Sequence, residues 1–152
     1  MQSRIKYSYI NDEGGHLEME VMREPQVRDF RKLAVYQKGM LWISEIREIV
    51  KVWKWEDRQV IGNQLLRSST SVMANLVEGN SNLYYAKELN FLNNSLGSAG
   101  ESQFWLEEAR NAGLIAQQTF ERLDNEAVEL RKMIVSLMKK VKAEIADKKN
   151  VA

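Results

Sequence analysis

Cysteine is absent from all 152 residues, which excludes disulfides, thiol nucleophiles and cysteine-ligated zinc or iron–sulfur sites. Histidine occurs once, at His16, and this removes most of the remaining metal and imidazole chemistry. Glu13-Gly14-Gly15-His16 has the Glu-x-x-His spacing of carboxylate-bridged metal sites. Such sites need two copies on inward-facing helices, and the two glycines disfavour a helix here, so no metal is expected. No run approaches the roughly 20 apolar residues that span a bilayer. The first residues, Met1-Gln2-Ser3-Arg4-Ile5, lack the apolar core and cleavage site of a signal peptide, so the expected location is the cytoplasm, with no membrane partner. There is no glycine-rich phosphate loop. Carboxylate pairs such as Glu107-Glu108 and Glu126 with Glu129 are coupled to no base or nucleophile, so neither an enzyme nor a cofactor is expected.

Excess charge of either sign is missing too: 22 basic residues face 21 acidic ones, for a net charge of +1. The distribution is less even. Between Arg131 and Lys149 stand seven basic residues and two acidic ones, a local net of +5, whereas residues 1–28 carry four basic and five acidic.

What is present is helical period. Proline occurs once, at Pro25, and everything after it repeats at steps of three and four. A first helix is predicted from near Asp29 through Leu33, Tyr36, Met40, Ile43, Ile46 and Val50, closed by Trp53 and Trp55. A second runs from about Arg58 to Val77 and ends at Gly79, whose residue type suits the left-handed position that terminates helices. A third carries Leu89, Leu92, Leu96, Ala99 and Leu106 to Gly113, with the small residues Ser95, Gly97, Ser98 and Gly100 placed where another helix must come close. The fourth repeats Phe120, Leu123, Ala127, Leu130, Ile134, Leu137 and Val141 as a heptad seam. Before Pro25 the pattern changes to alternation: Ile5, Tyr7 and Tyr9, then Leu17, Met19 and Val21, with a turn over Asn11–Gly15. The predicted fold is all-α, an antiparallel up-and-down four-helix bundle over 29–147. An N-terminal β-hairpin extension occupies 1–28 and a disordered tail 148–152.

The segment 64–79 is the most informative. Arg67, Ser71, Asn75 and Glu78 follow at steps of four, four and three, a polar stripe beside Leu65, Val72 and Leu76. With Glu101, these residues are read as a hydrogen-bonded polar layer between the second and third helices, or alternatively as a ligand or nucleic-acid surface. Arg131, Lys132, Lys139, Lys140 and Lys142 are likewise either a solvated face or a phosphate-binding one. Apolar residues off the main stripes, among them Val35, Trp42, Phe104 and Trp105, suggest either a thick core or a face covered by another subunit.

Phe30-x-x-Leu33-x-Val35-Tyr36-Gln37, the polar helix at 64–79, Phe91-Leu92 followed by Gly97-Ser98 and Glu101, and Ala109-x-x-x-Gly113-Leu114-Ile115 together resemble the bacterial four helix bundle proteins encoded in intervening sequences of 23S ribosomal RNA. The likeness spans about 30 to 140. Leu66 stands where that family usually has a second arginine and Met73 where it usually has proline. The resemblance implies a non-enzymatic helical subunit that assembles into a homo-oligomeric ring, typically a pentamer, and associates with nucleic acid, RNA or RNA/DNA. Related proteins serve diversity-generating retroelements as accessory factors that bind a reverse transcriptase with its template RNA and cDNA, and this is the alternative role it implies. A third role is a purely structural protein–protein scaffold. In the nucleic-acid reading Arg67, Arg131, Lys132, Lys139, Lys140 and Lys142 are the candidate contacts.

Overall fold

The computed structural model describes residues 7–11 and 17–151, with side chains from Val21 onward. The long helices are α1 (Ala34–Lys51), α3 (Asn63–Ser81), α4 (Tyr85–Asn111) and α5 (Gln117–Val151). A short helix α2 (Trp55–Asp57) and a π-helical turn (Arg58–Gly62) lead into α3. Two strands, β1 (Tyr7–Asn11) and β2 (Leu17–Val21), precede them.

Side-chain pairs show the antiparallel order. Between α3 and α4, Ser68 meets Ser102, Ser71 meets Ser98, and Val72 O accepts from Ser95, so one number rises as the other falls. Between α4 and α5, Gln103 reaches both Asp124 and Arg131. α1 packs on both α3 and α5, closing a four-helix bundle. Its core is the predicted stripes: Ile46, Leu65, Val72, Leu76, Leu92, Leu106, Leu123, Leu130 and Ile134 are essentially inaccessible. Trp42 belongs to this core, and its indole N–H donates to Leu123 O at 3.1 Å, which satisfies the one polar atom its burial strands.

Three helix ends differ from the sequence reading. Asp29 caps only a 3-10 turn, Phe30–Lys32, and α1 proper begins after an extended Leu33. Gly79 does not end a helix. It lies inside α3 because a Cβ there would sit 3.1 Å from Phe91 Cβ and 3.2 Å from Glu88 O, so glycine is needed for close approach of α4. Gly113, at φ 72°, is the left-handed residue, just past α4. Gly97 and Gly100, read as helix-contact positions, have nothing within 4 Å where a Cβ would be, and the close contact falls on the serines instead. α5 continues to Val151, through the segment expected as a tail from 148.

The expected β-hairpin extension requires correction. Among the described residues the strand pairing joins Tyr7–Asn11 antiparallel to Leu17–Val21, Tyr7 opposite Val21 and Asn11 opposite Leu17, and most of the assigned turn lies outside the described residues, as does His16. The segment is also tied to the bundle. Val21 is buried in the bundle core, Met22 forms an isolated bridge with Tyr84, and Arg23 N–H donates to Leu83 O at 2.8 Å. The physical reason is that a lone two-stranded ribbon is marginal in water and draws its stability from what it packs on. The four helices therefore set the fold class, which is all-α, and the chain before Pro25 is a strap on the bundle's end.

Candidate nucleic-acid interface

On α5 the five candidate cations are all exposed, but they do not share one stripe. At about 100° per residue, Arg131 and Lys142 lie within about 20° of each other, whereas Lys140 points about 160° away from Lys142. Arg131 is held by an amide: its guanidinium donates to Gln103 Oε1 at 2.9 Å, and Gln103 in turn donates to Asp124. Lys132 pairs with Glu129 one turn back at 3.0 Å. Lys139, Lys140 and Lys142 have no carboxylate within salt-bridge distance among the described residues. These three keep their full charge available to a polyanion.

The polar stripe of α3 separates into two parts. Asn75 Nδ2 donates to Ser71 O and Ser71 Oγ at 2.9 and 3.0 Å, and Ser71 shares a hydrogen bond with Ser98 of α4. Arg67, Glu78 and Glu101 are exposed and are not brought into that layer. Glu101 accepts from the Trp105 indole on its own helix, and only the backbone carbonyl of Glu78 is engaged, by Asn82. The layer's buried members are instead Ser68, Ser69, Ser95 and Ser102. Small hydroxyl side chains let α3 and α4 approach closely while bonding carbonyls in the preceding turn, as Ser68 does to Leu65 O.

Arg67 lies at the exposed edge of α3, where it borders both a shallow depression shared with Ser71 and Glu101 and a groove shared with α1. The groove consists of two continuous depressions of about 470 and 600 Å³ that have Arg47, Gln59, Asn63 and Leu66 in common. Arg67 closes one end, and Trp55 and Arg58 the other.

Sequence reasoning missed a second cluster, a buried ionic one. Glu88, almost inaccessible, receives an ion pair from Arg23 and another from Arg28 at 3.3 Å, and Arg23 also reaches Glu144 of α5 at 3.0 Å. The Arg23 guanidinium lies 4.2 Å from the Tyr85 ring centroid. Burial pushes the Tyr85 phenol above its ordinary value, with Glu144 and Glu88 adding to the rise and Arg23 opposing it. The available signal was Glu88 itself, which stands at core spacing with Leu92, Ser95 and Ala99. A carboxylate on an apolar stripe demands a cation.

Among the described residues no group of three or more carboxylate, histidine or cysteine side chains could hold a metal, and no helix is long and apolar enough to cross a membrane.

Comparison with known proteins bears on this geometry. Residues 31–136 match the family model described as 23S rRNA-intervening sequence protein. The fold is similar to the 1.70 Å crystal structure of a protein of unknown function from the S23 ribosomal protein family of Bacteroides thetaiotaomicron VPI-5482. The TM-score is 0.64 at 30% identity, over 69% of this chain and 95% of that one. No curated protein matches the chain. Neither match names a retroelement, a reverse transcriptase or a ring.

Proposed function

The chain belongs to the 23S rRNA-intervening sequence protein family, and from that premise we propose that it is a homo-oligomeric nucleic-acid-binding protein that grips phosphates through basic surfaces repeated around a ring, most simply of five subunits. The family is non-catalytic, and this chain contains no cysteine. The observation that carries the reading is the trio Lys139, Lys140 and Lys142, exposed on α5 with no carboxylate partner among the described residues. A monomer of net charge +1 has little long-range attraction for RNA. Repetition of the α5 cations by symmetry multiplies the positive charge a polyanion meets, with Arg131, Lys139 and Lys142 within about 80° of one another on the helix and Lys140 apart from them. Oligomerisation is supported by apolar side chains left in solvent, notably Leu41 at 75% exposed on α1 and Phe104 at 53% on α4.

Lysines act as point charges and lack the forked geometry that reads guanine, so contact runs through phosphates with little base readout. The test is a mass measurement by light scattering together with binding of an RNA duplex at rising salt. The expected result is a closed oligomer whose affinity falls steeply with salt. A monomer, or affinity indifferent to salt, contradicts the reading.

A further inference from the structure

The α1–α3 groove lies away from the α5 lysines and holds a different set of groups. Four cations line it, Arg47, Lys51, Arg58 and Arg67, against one carboxylate, Glu48, which pairs with Lys51 at 3.6 Å. Among the described residues none of the three arginines has a carboxylate partner, and Arg58 Nε is buried without any hydrogen-bond acceptor. Trp55 stands at the groove's end with 64% of its surface exposed, and no described ring or cation covers it. The wall between them is the π-helical turn. Asn63 N–H bonds back five residues to Arg58 O, and a Cβ at Gly62 would lie 2.7 Å from Val50 Cγ1, so the turn is pressed against the end of α1. Turns of this kind recur at functional sites because they re-aim side chains at a local cost in hydrogen-bond geometry.

We propose that this groove binds an unpaired nucleotide of a single-stranded nucleic acid, its base stacked on Trp55 and its flanking phosphates held by Arg47, Arg58 and Arg67. The inference rests on the nucleic-acid reading above and adds to it a second site with a different preference. Stacking on one aromatic ring beside a track of cations is how single strands are held without sequence readout. A duplex cannot use it, because its bases are already stacked on each other. Gln59, Asn63 and Gln64 supply amides that can both donate to and accept from a base edge. A partner helix would need a broad apolar floor, and the groove offers only Val50 and Leu66 beside the tryptophan. An acidic peptide would use the arginines but leave Trp55 without an occupant.

The test measures binding of short oligouridylate and oligothymidylate, about ten nucleotides each, and of an RNA duplex, to the intact protein and to Trp55→Ala, Trp55→Phe and Arg47→Gln/Arg67→Gln variants. Trp55→Ala should weaken single-strand binding roughly 5- to 150-fold, the range for losing one stacked base, and leave duplex binding unchanged. Trp55→Phe, which keeps an aromatic face, should stay within about threefold of the original. The double arginine variant should flatten the single-strand salt slope by about 0.7 for each phosphate it no longer neutralises. Single strands should quench the fluorescence of the intact protein, and Trp55→Ala should remove most of the quench, because Trp42 and Trp53 are buried and the half-buried Trp105 does not line the groove. Weakening on both probes, or on the ribose probe alone, supports the stacked base and identifies the strand. Unchanged single-strand affinity in Trp55→Ala overturns the proposal. So does a variant that changes oligomeric mass but not affinity, since the face then joins subunits. If the intact protein binds duplex but no single strand, this inference alone fails. If it binds neither, the functional reading fails with it.

Discussion

Arg23 and Glu88, 65 residues apart in sequence, form a buried ion pair that ties the chain before Pro25 to the start of α4. Their side chains are 9% and 5% exposed, so the pair is desolvated, and neither charge is tolerable alone. Glu88→Ala leaves both Arg23 and Arg28 without their shared carboxylate and should cost roughly 3 to 5 kcal/mol in chemical denaturation. Glu144→Ala removes a partner whose side chain is 34% exposed, and its effect should be clearly smaller. Equal losses of stability in the two variants would contradict the buried placement of Glu88.

Tyr85 gives that cluster a pH signature. Its folded-state pKa is raised, chiefly by burial, so the folded protein retains the phenolic proton at pH values where the unfolded chain has begun to lose it. The folded state then binds more protons, and stability present below the unfolded value is lost as pH rises through the folded one. Unfolding midpoints should therefore fall as pH rises above about 10, the ordinary tyrosine value, and Tyr85→Phe should flatten that fall. A Phe variant with the same alkaline slope as the original would exclude Tyr85 as the source.

The serine layer between α3 and α4 makes a contrast testable at one position. Ser95 is fully buried and donates to Val72 O at 2.6 Å. Ser95→Ala removes one hydrogen bond while Val72 O remains in its helix, a loss of about 0.5 to 1.5 kcal/mol. Ser95→Leu must push two closely spaced helices apart and should cost about 1 to 3 kcal/mol or more. If leucine is as well tolerated as alanine, the helices are not in close contact there.

The helical seams were legible because burial repeats at a fixed angle, and Leu123, Ala127, Leu130, Ile134 and Val141 of α5 are buried as read. The polar stripe was only half legible, for a geometric reason. Each step of four overshoots a full turn by about 40°, so Arg67 and Asn75 differ by about 80°, enough to put one in solvent and the other at the α4 interface. Gly79 and Gly113 illustrate the limit of residue type: one glycine admits a neighbouring helix, the other supplies a positive φ, and nothing local distinguishes them. The π-helical turn at Arg58–Gly62 leaves no mark in periodicity, since it shifts the register by a single residue. That a two-stranded ribbon must dock on the helices or on another subunit follows from its marginal stability alone, but where it docks does not, because its ties, Met22 to Tyr84 and Arg23 to Glu88, follow no period in the sequence.

In the proposed function the attraction for nucleic acid rests on the unpaired α5 lysines, and a salt titration of duplex binding by Lys139→Gln/Lys140→Gln/Lys142→Gln, beside the original protein, tests this without intermediaries. All three side chains are exposed, so the substitutions should leave fold and oligomeric mass intact. The plot of log affinity against log salt should flatten by about 0.9 for each phosphate no longer neutralised. An unchanged slope and affinity in the triple variant would show that the lysines are not the source of binding.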